Sequence, residues 1–429
     1  MKVLMFGWEF PPHISGGLGT ACYGLTKGLS HIRDLDVLFV VPKIHGDEDQ
    51  KKMKLIGASD VSILKRELNI KNFQKTIECL EVDSCLVPYV DPEDFKKQMS
   101  YTVEGTGTFL KTDDQGKIAF SGKYGTNLIT EIANYSMVAG LIAEDNRFDV
   151  IHAHDWLTYQ AGIVAKEVSG KPLVIHVHAT DFDRSGGEAN PVVFDIEKKG
   201  MEAADSIITV SNLTRNIVIE KYGIDPEKVS TVYNAVEPVD QQEEPIKKGF
   251  DEKIVTFLGR ITMQKGPEYF IKAASQVAER MDNVRFVMAG SGDMMHEMVD
   301  QVAAMGLTNK FHFTGFLKGK DVFDMLQMSD VYIMPSVSEP FGISPLEAMQ
   351  SNVPVIISHQ SGCAEMLKYA LKVDYWNIDA MADAIHSLVK HPVMSKSLME
   401  NGKKEVDNIR WESSAKEVYK IYKKAVPAS

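Results

Sequence analysis

Arg260 and Lys265 flank the start of a helical pattern: Leu258-Gly259-Arg260 closes an apolar run, and Lys265-Gly266-Pro267 puts proline where a first helical turn accepts it. A guanidinium holds phosphate oxygens through paired N–H donors, and an ammonium supplies a mobile point charge. Beside a helix N-terminus, the two cations suit a departing diphosphate without a metal ion. Solvation of the surface is the bland alternative for each. Farther on, Ser338-Glu339-Pro340-Phe341-Gly342-Ile343-Ser344-Pro345-Leu346-Glu347 follows another apolar run and opens another helical pattern. Glu339 falls in the loop, where its carboxylate can accept hydrogen bonds from sugar hydroxyls. Glu347, eight residues later, falls in the first helical turn near the positive dipole end. Ser344 to Glu347 also reads as a capping box with proline at the first helical position, a sufficient job for Glu347 by itself. Near the start, Ser15-Gly16-Gly17-Leu18-Gly19-Thr20 lets backbone N–H groups approach an anion such as pyrophosphate. A tight turn for close strand–helix packing explains that loop equally.

The elements that must carry these loops alternate between short apolar runs and helical spacings. Strands are expected at 3–6, 37–41, 150–152, 173–177 and 206–210, and again at 254–258, 285–289, 310–313, 331–334 and 353–357. Leu18, Cys22, Leu25 and Leu29 fall on one helix face just after the first strand and its glycine loop. Such alternation makes parallel sheets, so the fold class is α/β with two Rossmann-like halves. A polar stretch with Gln241-Gln242-Glu243-Glu244-Pro245 reads as a linker. The expected domains are 1–240 and 250–410, with a final amphipathic helix at about 411–429 that packs on a domain surface. Residues 51–125, which include Glu104-Gly105-Thr106-Gly107, are less regular and read as an insertion.

Composition narrows the function classes. The 59 acidic and 47 basic residues give a net charge of −12, which disfavours nonspecific attraction to nucleic acid or anionic membrane. No run approaches the roughly 18 apolar residues of a membrane span, and the first residues read directly as a strand. The four cysteines, Cys22, Cys79, Cys85 and Cys363, have no metal-ligand spacing and suit reduced thiols, so a cytoplasmic setting is expected. An NAD reading fails twice, because Gly17-Leu18-Gly19-Thr20-Ala21-Cys22 and Gly290-Ser291-Gly292-Asp293-Met294-Met295 both lack the third glycine of the dinucleotide fingerprint.

Taken in order, the Gly16-Gly17 loop, His152-Ala153-His154-Asp155-Trp156, Gly259-Arg260 with Lys265-Gly266, and the E-x7-E element Glu339 to Glu347 resemble the GT-B retaining glycosyltransferases of family 4. The resemblance spans nearly the whole chain and leans toward the glycogen and starch synthases. It implies two Rossmann-like domains facing across a cleft, with a donor-binding C-terminal domain, an acceptor-binding N-terminal domain, and a final helix returning to the first. Arg260 and Lys265 would neutralise the donor diphosphate, Glu339 would hold donor-sugar hydroxyls beside Phe341, Gly342 and Ile343, and Glu347 would bind the nucleotide ribose. Gly16 and Gly17 would close over the donor from the opposite side. His154 would lie by the reacting centre with Asp155 orienting its ring, although a histidine at a strand end is commonly structural, and Trp156 would pack. His178, Asp181 and Arg184 are candidates for acceptor contact, while Asp181-Phe182-Asp183 reads as a polar loop before it reads as a metal motif.

The implied reaction moves a hexose, glucose first, from ADP-glucose or UDP-glucose to an α-glucan, with no metal and no cofactor beyond the donor. Two departures from the glycogen synthase pattern keep the donor base open. Ile14-Ser15 replaces a lysine ahead of Gly16, and Ser361-Gly362-Cys363 replaces a Gly-Gly turn, with Gly362 expected to expose backbone donors. The alternatives are a hexosyltransferase for another sugar or lipid-linked acceptor, a nucleotide-sugar epimerase of the same fold, and a silent binding protein. A basic amphipathic helix around 51–75 would favour the lipid acceptor, but its charges look more like a solvated face.

Overall fold

A computed structural model of the chain describes residues 1–14, 16–48, 53–63, 112–125, 127–238, 248–249 and 251–426. The first sheet contains β1 (Lys2–Phe6), β2 (Asp36–Val41), β3 (Lys54–Gly57), β4 (Val150–His154), β5 (Leu173–Val177), β6 (Ser206–Thr209) and β7 (Val229–Thr231), in the order β3-β2-β1-β4-β5-β6-β7. Its connections carry α1 (Gly17–Leu29), α2 (Leu128–Asp145), α3 (Trp156–Ser169), α4 (Asp181–Ser185), α5 (Pro191–Ala203) and α6 (Asn212–Tyr222). The second sheet contains β8 (Lys253–Leu258), β9 (Val284–Ala289), β10 (Phe311–Gly315), β11 (Val331–Met334), β12 (Val355–Ser358) and β13 (Leu371–Val373), in the order β10-β9-β8-β11-β12-β13. With it go α7 (Pro267–Arg280), α8 (Met295–Ala304), α9 (Lys320–Met328), α10 (Ser344–Gln350), α11 (Ile378–Lys390), α12 (Pro392–Val406) and the last helix, α13 (Trp411–Ala425).

Every pairing between these strands is parallel. That follows from crossover helices, and it explains why the central strands are apolar on both faces. In β1, Leu4 and Phe6 join the core beneath α2 and α3, whereas Val3 and Met5 join Cys22 and Leu25 of α1. The first part of the expected insertion is in fact the edge strand β3, paired with β2 from Leu38–Lys54 to Val41–Gly57. Residues 64–111, the Glu104–Gly107 segment and Gln241–Pro245 lie outside the described residues. No helix among the described residues is long and apolar enough to cross a membrane.

Each sheet switches direction of winding beside its first strand, so β1 neighbours β4 and β8 neighbours β11. Ligands of open α/β sheets bind at such switch points, beyond the carboxyl ends of the strands. The sequence puts His154 at the end of β4, Arg260 just after β8 and Glu339 after β11.

Helix α13 belongs in space to the first sheet. Its Trp411 lies over α1, where a Cβ on Gly24 would fall 2.2 Å from the indole and one on Gly28 would fall 2.6 Å from the Trp411 carbonyl oxygen. Ala415, Val418 and Tyr422, about one, two and three turns further on, are buried in the same core as Met5 and Val174. Trp411→Ala would open a large void between two helices that glycine holds close. The expected loss is about 3–5 kcal/mol of unfolding free energy, measured by urea denaturation.

Candidate active site

On the second sheet, Lys265 is placed by backbone packing. Gly266 takes a left-handed conformation (φ 66°), and a Cβ there would sit 2.1 Å from the Pro335 carbonyl oxygen, so the Lys265 turn presses against the end of β11. The Val337 amide donates to the Gln264 carbonyl at 2.9 Å and fixes that contact. In consequence the Lys265 ammonium forms an ion pair with the Glu339 carboxylate. Arg260 stands one residue past Gly259, with a guanidinium nitrogen donating to Gln264 Oε1 at 3.1 Å. Gly290 and Gly292 pack against this same turn: a Cβ would fall 1.8 Å from Gly259 O and 2.2 Å from Ile261 O. Close loop packing therefore accounts for that Gly-Ser-Gly run.

Glu339 is held by its own main chain as well. Its amide donates to Gln360 O at 2.9 Å and its carbonyl accepts from Gly362 N at 2.8 Å, while Ser336 Oγ lies 3.4 Å from the carboxylate. The Gly362 turn is thus not an open set of donors, because Gly362 N goes to Glu339 and Cys363 N goes to Phe341 O at 2.8 Å. The turn is used to seat the Glu339 loop. The Phe341 ring is buried against Tyr233, and Gly342 (φ 94°) and half-buried Ile343 lead into α10.

The capping box does not form. Helix α10 begins at Ser344, and the Ser344 hydroxyl instead shares a 2.8 Å hydrogen bond with the phenol of buried Tyr332, which has no water to turn to. Glu347 is left without a capping role, and burial pushes its carboxyl up to about 7.

Across the cleft, α1 starts at Gly17 without a side-chain cap, and the spaces beside Gly16 and Gly17 are open. Glu9, which the sequence reading passed over, reaches the same helix start, its Oε1 accepting from Gly19 N at 3.2 Å. His154 is fully buried at the end of β4 and its Nδ1 shares a 2.9 Å hydrogen bond with His178 Nε2. Burial holds the His154 imidazole well below its usual range, and burial together with Arg184 pushes His178 down to about 3. Trp156 is buried in the core.

Asp155 does not orient the His154 ring. Its carboxylate accepts from Arg184 at 2.7 Å, and Asp155 itself has a left-handed backbone (φ 62°), a strained choice for a residue with a Cβ. Arg184 also donates to Glu197 at 3.1 Å, with its side chain only 10% exposed. The guanidinium is therefore turned inward as the centre of a buried Asp155–Arg184–Glu197 group, where an acceptor cannot meet it. Glu197 further accepts from Tyr222 and from the Asp181 amide, and burial raises its carboxyl to about 8.

Both carboxylates of Asp181-Phe182-Asp183 have protein partners as well. Asp181 accepts from Asn190 N at 2.6 Å, and Asp183 forms a capping box with Thr180 at the start of α4. The second oxygen of Asp183 accepts from Ser338 Oγ at 2.6 Å. This contact joins the loop that leaves His178 to the residue beside Glu339, and so brings the two halves of the site to one cleft.

Comparison with known proteins bears on the fold and the family. The family described as "Glycosyltransferase Family 4" matches residues 120–239, and the family described as "Glycosyl transferases group 1" matches residues 239–405. The chain is a GT-B glycosyltransferase. It is similar to an uncharacterized glycosyltransferase of Methanocaldococcus jannaschii, at 27% identity over 99% of both chains. It is also similar to the α-maltose-1-phosphate synthase of Mycolicibacterium smegmatis (29% identity, 64% of this chain and 79% of that one). The glycogen synthase of Mycobacterium tuberculosis is 21% identical over 98% of this chain and 94% of its own. In three dimensions the transferase superposes on an Anabaena protein solved with UDP and glucose, with a TM-score of 0.68 at 16% identity, over 99% of each chain.

Two outcomes follow from the buried charges of this transferase. Arg184→Met leaves Asp155 and Glu197 without their cation and should lower unfolding free energy by about 3–5 kcal/mol, read by denaturant titration. Glu347 is raised from about 4.5 to about 7 in the folded chain, so folding favours its protonated form, and its contribution to stability falls as pH rises between those values. Glu347→Gln should flatten the stability difference between pH 5 and pH 8 by on the order of 1 kcal/mol, because the residue as a whole is only partly buried.

Proposed function

We propose that this glycosyltransferase moves glucose, with retention of configuration, from ADP-glucose or UDP-glucose to an α-glucan, and that it does so without a metal or cofactor. The observation that carries this reading is the Lys265–Glu339 pair at the β8–β11 switch point, one cation suited to phosphate touching one carboxylate suited to sugar hydroxyls. A nucleotide sugar has both functions on adjacent atoms, and its phosphate and sugar would separate the pair and take one partner each. Similarity to a glycogen synthase over nearly the full chain supports the acceptor, and the fold shared with a protein solved with UDP and glucose supports the donor class.

In this mechanism Arg260 and Lys265 neutralise the diphosphate, Glu339 holds the donor sugar with the main chain of Phe341, Gly342 and Ile343, and Glu347 receives the ribose. Gly16 and Gly17 meet the donor from the other side of the cleft. The bond from the sugar C1 to the phosphate oxygen breaks, and its electron pair leaves with the nucleoside diphosphate. The acceptor hydroxyl attacks the same face, and its proton passes to the leaving phosphate oxygen. Neutral His154, steadied by His178, lies beside the reacting sugar as a hydrogen-bonding group. His178 and the backbone around Asp181 form the acceptor side, while Arg184 supports that wall from within.

A sugar phosphate is the second acceptor class, favoured by the similarity to an α-maltose-1-phosphate synthase. The deciding assay incubates the protein with ADP-glucose, UDP-glucose or GDP-mannose, each with glycogen, with glucose 1-phosphate or alone, in the presence of EDTA. Release of nucleoside diphosphate with new α-linkages on glycogen supports the proposal and names the donor. Release with glucose 1-phosphate alone moves the acceptor to the second class, and release with no partner of either kind overturns both. Lys265→Ala and Glu339→Gln should each lower kcat/KM by about 10²–10³-fold, the usual loss when a charge-stabilising contact is removed.

A further inference from the structure

A ladder of four imidazoles stands behind the cleft. Alternate residues of a strand share a face, which puts His152 and His154 of β4 side by side, and strand register sets His154 opposite His176, with His178 just past the end of β5. Ring centroids of neighbours lie 4.2–5.4 Å apart. Tyr422 of the last helix shares a hydrogen bond with His152, and His154 shares one with His178. The remaining ring nitrogens, His152 Nε2, His154 Nε2, both of His176 and Nδ1 of His178, are buried without a hydrogen-bond partner. Buried polar nitrogens left bare are costly, and the two of this set that His154 and His178 contribute stand at the end of the ladder nearest the cleft.

Helix α1 brings a thiol to the same place. One ligand atom from each of Cys22, His154 and His178 lies within 4.8 Å of the other two. A thiolate with two neutral imidazoles is a donor set for Zn²⁺ and cations like it. The edges of a tetrahedral site with those bond lengths are roughly 3.3–3.8 Å, so side-chain rotation of ~1 Å would close the set around an ion. Cys22 and His154 are buried whereas His178 is partly exposed, which gives the site a back wall and an entrance from the cleft. Burial, with the negative charges of Glu9 and Asp155 adding to it, pushes the Cys22 thiol well above its usual range when no cation is present.

We propose that Cys22, His154 and His178 form a binding site for one Zn²⁺-like transition cation, bound by a thiolate and two neutral imidazoles, with the thiol proton released to solvent and a fourth position left to water. The constellation has no spacing motif in the sequence, because strand pairing and helix packing assemble it. Only one consequence rests on the proposed function: a cation on His154 would shut off glucosyl transfer. Binding itself stands apart from it.

The test uses the full chain, reduced, stripped with EDTA and desalted, then incubated with ZnCl₂ or CoCl₂ without any sugar nucleotide and desalted again. Retention of one zinc per chain is expected, together with a near-ultraviolet thiolate-to-cobalt charge-transfer band and intense visible bands of tetrahedral cobalt. Cys22→Ser should abolish the charge-transfer band, and Cys22→Ser and His178→Gln should each weaken zinc retention at least tenfold. His13→Ala, in the exposed His13–Asp47–Glu48 cluster, should change neither readout. His178→Gln, closer to the surface, serves where a buried Cys22 substitution compromises folding. Failure of the parent chain to retain metal, or undiminished retention in His178→Gln, would overturn the proposal whatever the transfer assay gives.

Discussion

Lys265 meets Glu339 because neighbouring loops approach each other more closely than any side chain allows. A Cβ on Gly266 would stand 2.1 Å from one carbonyl oxygen, that of Pro335, and a Cβ on Gly362 would stand 2.1 Å from another, that of Pro340. These contacts tie the ends of β8, β11 and β12 into one block, and the block sets the positions of both charged side chains before any ligand arrives. The ion pair itself is a modest source of stability, since taking two charges partly out of water offsets much of their attraction. Its value is positional: charges fixed in advance need no reorganisation when a transition state develops its own.

The first domain reaches similar rigidity by a different route. Its central charge, Arg184, has two buried carboxylates as partners, and that group anchors the left-handed turn at Asp155 from which α3 departs. The two domains are then joined at several points. Glu365 accepts from the amides of Asn212 and Leu213 at 2.9 and 2.7 Å, a carboxylate set at the positive start of α6. Ser338 meets Asp183, and α13 returns to bury Trp411 and Tyr422 against the first sheet. The last helix therefore reaches the histidines of the cleft through Tyr422 and His152, although it lies far from them in sequence.

What could be seen in the sequence follows this division. Central strands such as β1, β2 and β5 were legible because both of their faces are buried, which leaves continuous apolar runs. Three of the four edge strands, β3, β7 and β13, were not, since three or four residues make too short a pattern, whereas the fourth, the five-residue β10, was. Loop residues were legible by chemical type, as Arg260, Lys265 and Glu339 show, but their partners were not. Ser344 turned from its helix to Tyr332, Asp155 turned from His154 to Arg184, and the Gly362 amide turned inward to Glu339. Each of those choices is made by a residue distant in sequence that needed a hydrogen-bond partner in a dry place. The paired His-x-His spacings carried a usable signal, since period two puts both rings on one face, yet only the strand order reveals that the two pairs adjoin.

The charges of the cleft differ in how completely they are satisfied, and that difference marks where a ligand has most to contribute. Arg184 answers the charge of Asp155 within the wall beside Glu197, whose carboxyl is raised to about 8, and Lys265 and Glu339 neutralise one another. Glu347 has burial without a cation, and burial alone lifts its carboxyl to about 7. A hydroxyl donating to that carboxylate would favour the charged form and draw its titration back down, so its binding would be coupled to release of a proton near neutral pH. The proposed donor, polyhydroxylated with an anionic centre, would satisfy both deficits together: its hydroxyls would meet Glu347 and Glu339, while its negative charge would replace Glu339 beside Lys265. A neutral polyol could do only the first and an inorganic anion only the second, so on the proposed function the two carboxylates and the cation would discriminate by requiring both chemistries in one molecule.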